Sequence, residues 1–230
     1  MKNSKEKAPI RDRMTDDELE NVRASDLSRL KLDDDEKSRL REINRRLDDE
    51  RLLRSARLAV EAAPLIAELK EAGMNVRSVW DLVNTAESYA NAVPVLLKHL
   101  QMPYSDRTRE GIARALAVRD PQVRNAWPLL VEEYRKAKSG LGFKAPGDDK
   151  MYELGAKDGL ACTLSAAFSK DRLPEYIELL RDRSNGPSRL LLLSALRRSK
   201  DPVVLRLLED LASDPDLTEE LLSWGRFRTH

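Results

Sequence analysis

The sequence predicts an all-α chain: a right-handed α-solenoid of about five helix pairs behind a charged, partly helical N-terminal extension. Three observations predict it. Glycine is scarce, 9 of 230 residues, and runs of β-branched residues are few, which argues against a sandwich or barrel. Charged residues make up 35% and hydrophobic residues 41%; that is polar for a compact globule, where about 25% charged is usual, and suits helices each wetted on one side. The third is a recurring pattern in which a polar residue stands three places before a proline and an apolar helical stretch follows.

The extension comes first. Residues 1–58 hold 31 charged residues and no aromatic, the first aromatic being Trp80. Such a segment buries too little apolar surface to fold alone. Thr15-Asp-Asp-Glu18 reads as a capping box, and Asp33-Asp-Asp-Glu36 as a second helix start rich in acid. From Asp34 to about Arg57 there is neither glycine nor proline, and Asp35/Arg39, Glu42/Arg46 and Glu50/Arg54 pair at helical spacing. Leu40, Ile43 and Leu47 form a stripe that Glu50 and Arg54 interrupt, so a long coiled coil is not expected. The segment reads as a solvated helix, or as an arm that orders on a partner. Residues 1–33 are expected to be removable with little loss of stability.

Residues 59–230 carry the repeat. Glu61-Ala-Ala-Pro64, Asn91-Ala-Val-Pro94, Asn125-Ala-Trp-Pro128 and Asp171-Arg-Leu-Pro174 align, each followed by an apolar stretch. The physical reading is an N-cap that satisfies an orphan N–H, with proline in the first turn where its missing N–H costs nothing. These starts lie 30, 34 and 46 residues apart. The long interval contains an insert, 139–150, with three glycines, Pro146 and the isolated Phe143. A further start, Asp201-Pro202, follows 30 residues after Asp171. Second helices are expected near 76–88, 107–118, 151–169 and 187–199, and a last one at 215–224, stopped by Gly225. Asn75 and Asp106 read as caps. Each pair is too small to stand alone but able to stack.

Two stretches, DRTREGIARALAVRDPQVRNAWPLLVEEY (106–134) and SRLLLLSALRRSKDPVVLRLLEDLASDPDL (188–217), resemble bacterial HEAT repeats. The shared pattern is a basic, alanine- and leucine-rich second helix, an Asp-Pro turn, then the first helix of the next repeat. The turn stands at Asp120-Pro121, Asp201-Pro202 and Asp214-Pro215. The resemblance implies that second helices line a concave, ligand-facing surface.

Chemistry-bearing residues are few. One cysteine and two histidines leave no disulfide framework and none of the usual zinc clusters. No HExxH, phosphate-binding glycine loop, GxGxxG or CxxC occurs. Cys162, among leucines and alanine, reads as a structural thiol. His99 reads as a helix-end residue that complements the dipole. Gly155, Gly159, Cys162 and Ala166 share one helical face, either a tight packing seam or the floor of a groove. No catalytic residue, metal or cofactor is expected.

Helical phase supplies the candidate binding residues. On 107–118, Ile112, Ala115 and Leu116 point inward, leaving Arg107, Glu110 and Arg114 outside. On 76–88, Val79, Leu82, Val83 and Ala86 point in; Arg77, Asp81 and Ser88 point out, with Trp80 on the flank. Leu190 to Leu193 leave Arg197 and Arg198 outside on the fourth. Of 41 basic residues, 27 are arginine, the cation suited to interface ion pairs. The expected site is therefore Arg77, Trp80, Asp81, Arg107, Arg114, Arg197 and Arg198, with Phe143 on the insert.

The function this predicts is a non-enzymatic protein–protein scaffold or adaptor, taking a protein or peptide on the second-helix surface. A nucleic-acid-binding HEAT-like protein, with repair chemistry in some relatives of that fold, is the competing reading. The net charge of only +1 speaks against it, because phosphate binding normally shows a clearly basic domain. The first residues lack the apolar core of a secretion signal and no 18-residue apolar run follows, so a cytoplasmic protein without a membrane partner is expected.

Overall fold

The computed structural model describes residues 13–140 and 155–225, except 23 and 28. Every regular element among them is helical. Packing divides the chain into two units at Arg57/Leu58.

The first unit opens as anticipated. Helix α1 (Asp16–Glu20) has the capping box, with Thr15 Oγ1 accepting the Glu18 N–H and Glu18 accepting the Thr15 N–H. A short α2 (Ala24–Leu27) follows. Helix α3 (Asp34–Glu71) starts on the second box, where Asp33 and Glu36 exchange bonds of 2.8 and 2.9 Å. Glu36 also accepts the Met14 N–H, and Arg39 reaches both Asp16 and the Met14 carbonyl. Arg46 pairs with Glu20 on α1 instead of with Glu42. Leu19 and Ile43 are buried. Residues 14–20 thus supply one core leucine and the partners of Glu36, Arg39 and Arg46, which bears against the expectation that residues 1–33 can be removed with little loss.

Helix α3 does not stop near Arg57. It continues through Pro64, which lies deep in the helix and not in a first turn. This corrects the reading of Glu61 as a cap. Proline inside a helix costs about 3 kcal/mol. Two features offset it: Leu65 and Leu69, on the following turn, are completely buried, and Pro64 and Val60 are exposed, so water can reach the Val60 carbonyl that loses its N–H. The helix ends in a Schellman turn. Gly73 (φ 87°) donates to Lys70 and Met74 to Leu69, a conformation that favours glycine.

The second unit starts each remaining first helix with proline. Pro94, Pro128 and Pro174 lie in the first turns of α5 (Val93–Leu100), α8 (Trp127–Lys136) and α10 (Leu173–Arg181). The polar residues before them are not caps, however. Asn91 lies in a 3-10 turn (Ala90–Ala92), Asn125 ends α7 (Pro121–Asn125), and Asp171 lies in a 3-10 turn (Lys170–Arg172). At each place a single helical turn runs into a residue that has no N–H to extend it. True aspartate caps stand at Asp120, before α7, and at Asp201, before α12 (Pro202–Leu211).

Two of the expected second helices form: α6 (Asp106–Ala115) and α9 (Ala156–Ala167). The others are shorter than their sequence suggests. The first is only α4 (Trp80–Val83), because Asp81 binds the N–H groups of Arg77 and Ser78 and Thr85 binds that of Glu87. Such local bonds compete with a continued helix. The fourth is α11 (Arg189–Leu192) followed by a 3-10 turn (Leu193–Ala195), after a segment turned at Gly186 with φ 59°. The last, α13, is only Thr218–Ser223.

Within this unit α4 packs on α6, α6 on α9 and α9 on α11, while α5 lies against α6, α8 against α9 and α10 against α11. The α6–α9 contact is the most extensive, and it is close at Gly159, where a Cβ would lie 3.0 Å from both Ala113 Cβ and the Glu110 carbonyl. The small-residue face of α9 is thus a packing seam at Gly159, not a groove floor. Tyrosine tips tie the layers, Tyr89 to the Ala115 carbonyl, Tyr134 to Ser188 and Tyr176 to the Leu192 carbonyl.

Candidate functional site

The expected arginines divide into two kinds. Arg77 precedes α4 and is exposed, and Arg198 is exposed after α11; neither has an ion pair among the described residues. Arg107 and Arg114 instead converge on Glu110, at 2.6 and 2.8 Å. Glu110, expected to face outward, is buried at 1% exposure. The phase argument failed here because α9 covers a second side of α6, which leaves that helix with buried positions well beyond one apolar stripe.

Trp80 is half-buried at the start of α4, and the guanidinium carbon of Arg107 stands 3.9 Å from the centre of its ring. Gly111 permits this approach: a Cβ there would meet Val79 at 2.6 Å and Trp80 at 3.1 Å. Arg107 is therefore held by an aromatic face and a buried carboxylate while part of its side chain stays exposed, a preorganised fork of donors. Asp81 does not join it as a binding group, since its carboxylate closes the turn below Arg77. Arg197 lies over Trp224 at 5.6 Å, and Trp224 in turn donates to Glu220. Phe143 and most of the insert lie outside the described residues.

Sequence reasoning missed a buried polar layer behind this surface. Lys157, 3% exposed, donates to the Tyr134 and Ala137 carbonyls at the end of α8 and lies over the Tyr134 ring. Burial lowers its pKa. Asp158, 1% exposed, accepts the Gly155 N–H through Oδ2 while Oδ1 has no hydrogen-bond partner among the described residues. Burial raises its pKa, and Glu110 adds to the rise. Asp106 binds the Ala156 N–H rather than capping its own helix. The charged residues in GAKD gave no warning, because nothing in their spacing marks them as inward.

Asp158→Asn is expected to stabilise the protein at neutral pH by about 1 kcal/mol, the scale of one poorly satisfied buried group. Asparagine keeps an acceptor for Gly155 and removes a charge beside Glu110. The sign follows from the raised carboxyl pKa: its penalty grows as pH rises above the ordinary aspartate value and vanishes in acid. Urea melts at pH 4 and pH 7 check it; an equal difference at both would refute the charge argument.

The remaining reactive groups are embedded in packing. Burial pushes the Cys162 thiol up, the opposite of an activated thiolate. His99 is buried, with Nδ1 2.7 Å from Tyr104 Oη. Its Nε2 stands 3.3 Å from Glu68, misaligned for a hydrogen bond. The bond from Lys98 holds the Glu68 carboxyl low. Glu61 accepts from the Ser105 N–H, the Ser105 hydroxyl and Thr108, joining α3 to the start of α6. Among the described residues, no group of three His, Cys, Asp or Glu is placed to hold a metal, and no helix is long and apolar enough to cross a membrane.

No protein-family model, curated protein or solved structure matches the chain.

Proposed function

We infer that this chain is a non-enzymatic adaptor of the HEAT-like kind, its second unit an α-solenoid that takes a protein or peptide partner on the layer formed by α4, α6, α9 and α11. The succession of contacts along that layer supports the solenoid reading. The observation that carries the binding reading is Arg107, stacked on Trp80 and held by Glu110 yet partly exposed. Arg77 and Arg198, exposed and without an ion pair among the described residues, extend the surface. Carboxylates on a partner suit such forks, and a cytoplasmic setting suits the adaptor role.

The test uses the exposed pair. Arg77→Glu with Arg198→Glu is expected to leave the melting temperature unchanged and to weaken capture of a partner at moderate salt by at least about tenfold. Unchanged capture would place the site elsewhere. Binding to random duplex DNA that falls steeply with salt would favour the nucleic-acid reading instead.

A further inference from the structure

Glu110 does more than neutralise a charge: it holds two guanidiniums side by side. Its Oε2 accepts from Arg107 Nη1 at 2.6 Å and its Oε1 accepts from Arg114 Nε at 2.8 Å. Both arginines rise from α6, and at 100° per residue they lie within about 20° of one line along it. Because the two oxygens of one carboxylate are close together, the donating nitrogens stand within about 8 Å of each other.

Each fork is only partly used. Nε and Nη2 of Arg107, and Nη1 and Nη2 of Arg114, have no acceptor among the described residues, and none of these four nitrogens is shut away from solvent. By contrast, the buried Arg189 has all three of its nitrogens bonded. The side chains of Arg107 and Arg114 are 41% and 23% exposed. Glu110 fixes the aim of both, and the Trp80 ring fixes Arg107 a second time, so little side-chain freedom is left to lose on binding.

Charge chooses the occupant. Glu110 cancels one of the two positive charges, and the Asp158 carboxyl lies within electrostatic reach of Arg114 and Glu110. What remains is a pair of directional donor sets without a strong positive field. That suits singly charged planar carboxylates, one to each fork, and not a phosphoryl group, which brings nearly two charges to one point. We propose that the partner element seated here is an acidic helix carrying two carboxylates three or four residues apart, one for Arg107 and one for Arg114; this rests on the α4–α6 surface being the binding face. Side chains at that spacing have Cβ atoms about 5–6 Å apart, which matches two forks sharing one buried anchor, whereas carboxylates two residues apart point to different sides of a helix and serve only one fork.

Calorimetric titration of the full chain with two capped, alanine-rich helical peptides at low salt tests this. Both carry two glutamates, spaced i,i+4 in one and i,i+2 in the other, with helicity matched by circular dichroism. The i,i+4 peptide is expected to bind at least about tenfold more tightly. Arg107→Gln and Arg114→Met, each shown folded by thermal melting, should abolish that preference. Equal binding of the two peptides overturns the proposal, as does binding of neither, a preference that survives both substitutions, or stronger competition from inorganic phosphate than from acetate. In each of those cases the partner capture that depends on Arg77 and Arg198 decides separately whether the adaptor surface itself stands.

Discussion

Replacing Arg189 with alanine is expected to cost about 3–5 kcal/mol, the range for removing one partner of a buried ion pair. Arg189 is completely buried, and its guanidinium meets Asp214 through two bonds of 2.9 and 3.1 Å, Asp216 at 2.7 Å and the Leu180 carbonyl. Its Nε donates to the Gly186 carbonyl. One side chain therefore joins α10, the Gly186 turn, α11 and the chain after α12. Without it Asp214, 3% exposed, would keep, among the described residues, only the more exposed Arg183 as a charged partner. A loss of this size lowers the melting temperature of a chain of this length by about 10 °C. Lysine cannot replace it, since a single ammonium does not reproduce the fork. The hydrogen bond from Arg189 holds the Asp214 carboxyl below its ordinary value. The stabilisation is accordingly present above the ordinary aspartate pKa and lost as pH falls through the depressed one. The gap between parent and variant should narrow below about pH 4, which thermal melts across pH check directly.

Reversing Arg114 to glutamate is the second large effect, about 3 kcal/mol. Read from sequence, this residue belongs to a ligand-facing ridge, and its reversal should leave folding intact. Its bond to buried Glu110 makes that expectation untenable. The new carboxylate would stand beside Glu110 and near Asp158, whose charge is already disfavoured by burial. Arg114→Met keeps much of the stem's packing and should cost less, because Glu110 retains Arg107. Adding Glu110→Gln to the reversed variant should recover part of the loss. A double-mutant cycle from urea melts would show coupling near zero if the two side chains did not interact. Any binding defect of Arg114→Glu must be read against this loss, which is why Arg77 and Arg198 are the better probes of the surface.

The helical class, the capping box at Thr15, the proline starts of α5, α8 and α10, and the caps at Asp120 and Asp201 are determined by the sequence itself. All of these rest on interactions within a few residues: a side-chain oxygen meeting a nearby N–H, or a proline that cannot donate. Tertiary structure decided the rest. Pro64 sits inside α3 because burial of Leu65 and Leu69 outweighs a local penalty. The 76–88 stretch yields one turn because Asp81 and Thr85 bind the backbone first. Glu110, Lys157, Asp158 and Arg189 look like surface charges in a one-dimensional pattern, yet each is buried among groups brought there by α9, α8 or the Asp214 turn, some of them 20 or more residues away. Periodicity reports which side of one helix is apolar; it carries no information about a second helix covering the polar side, and that second contact is what put Glu110, expected on the outward face of α6, into the interior with Arg114 paired to it.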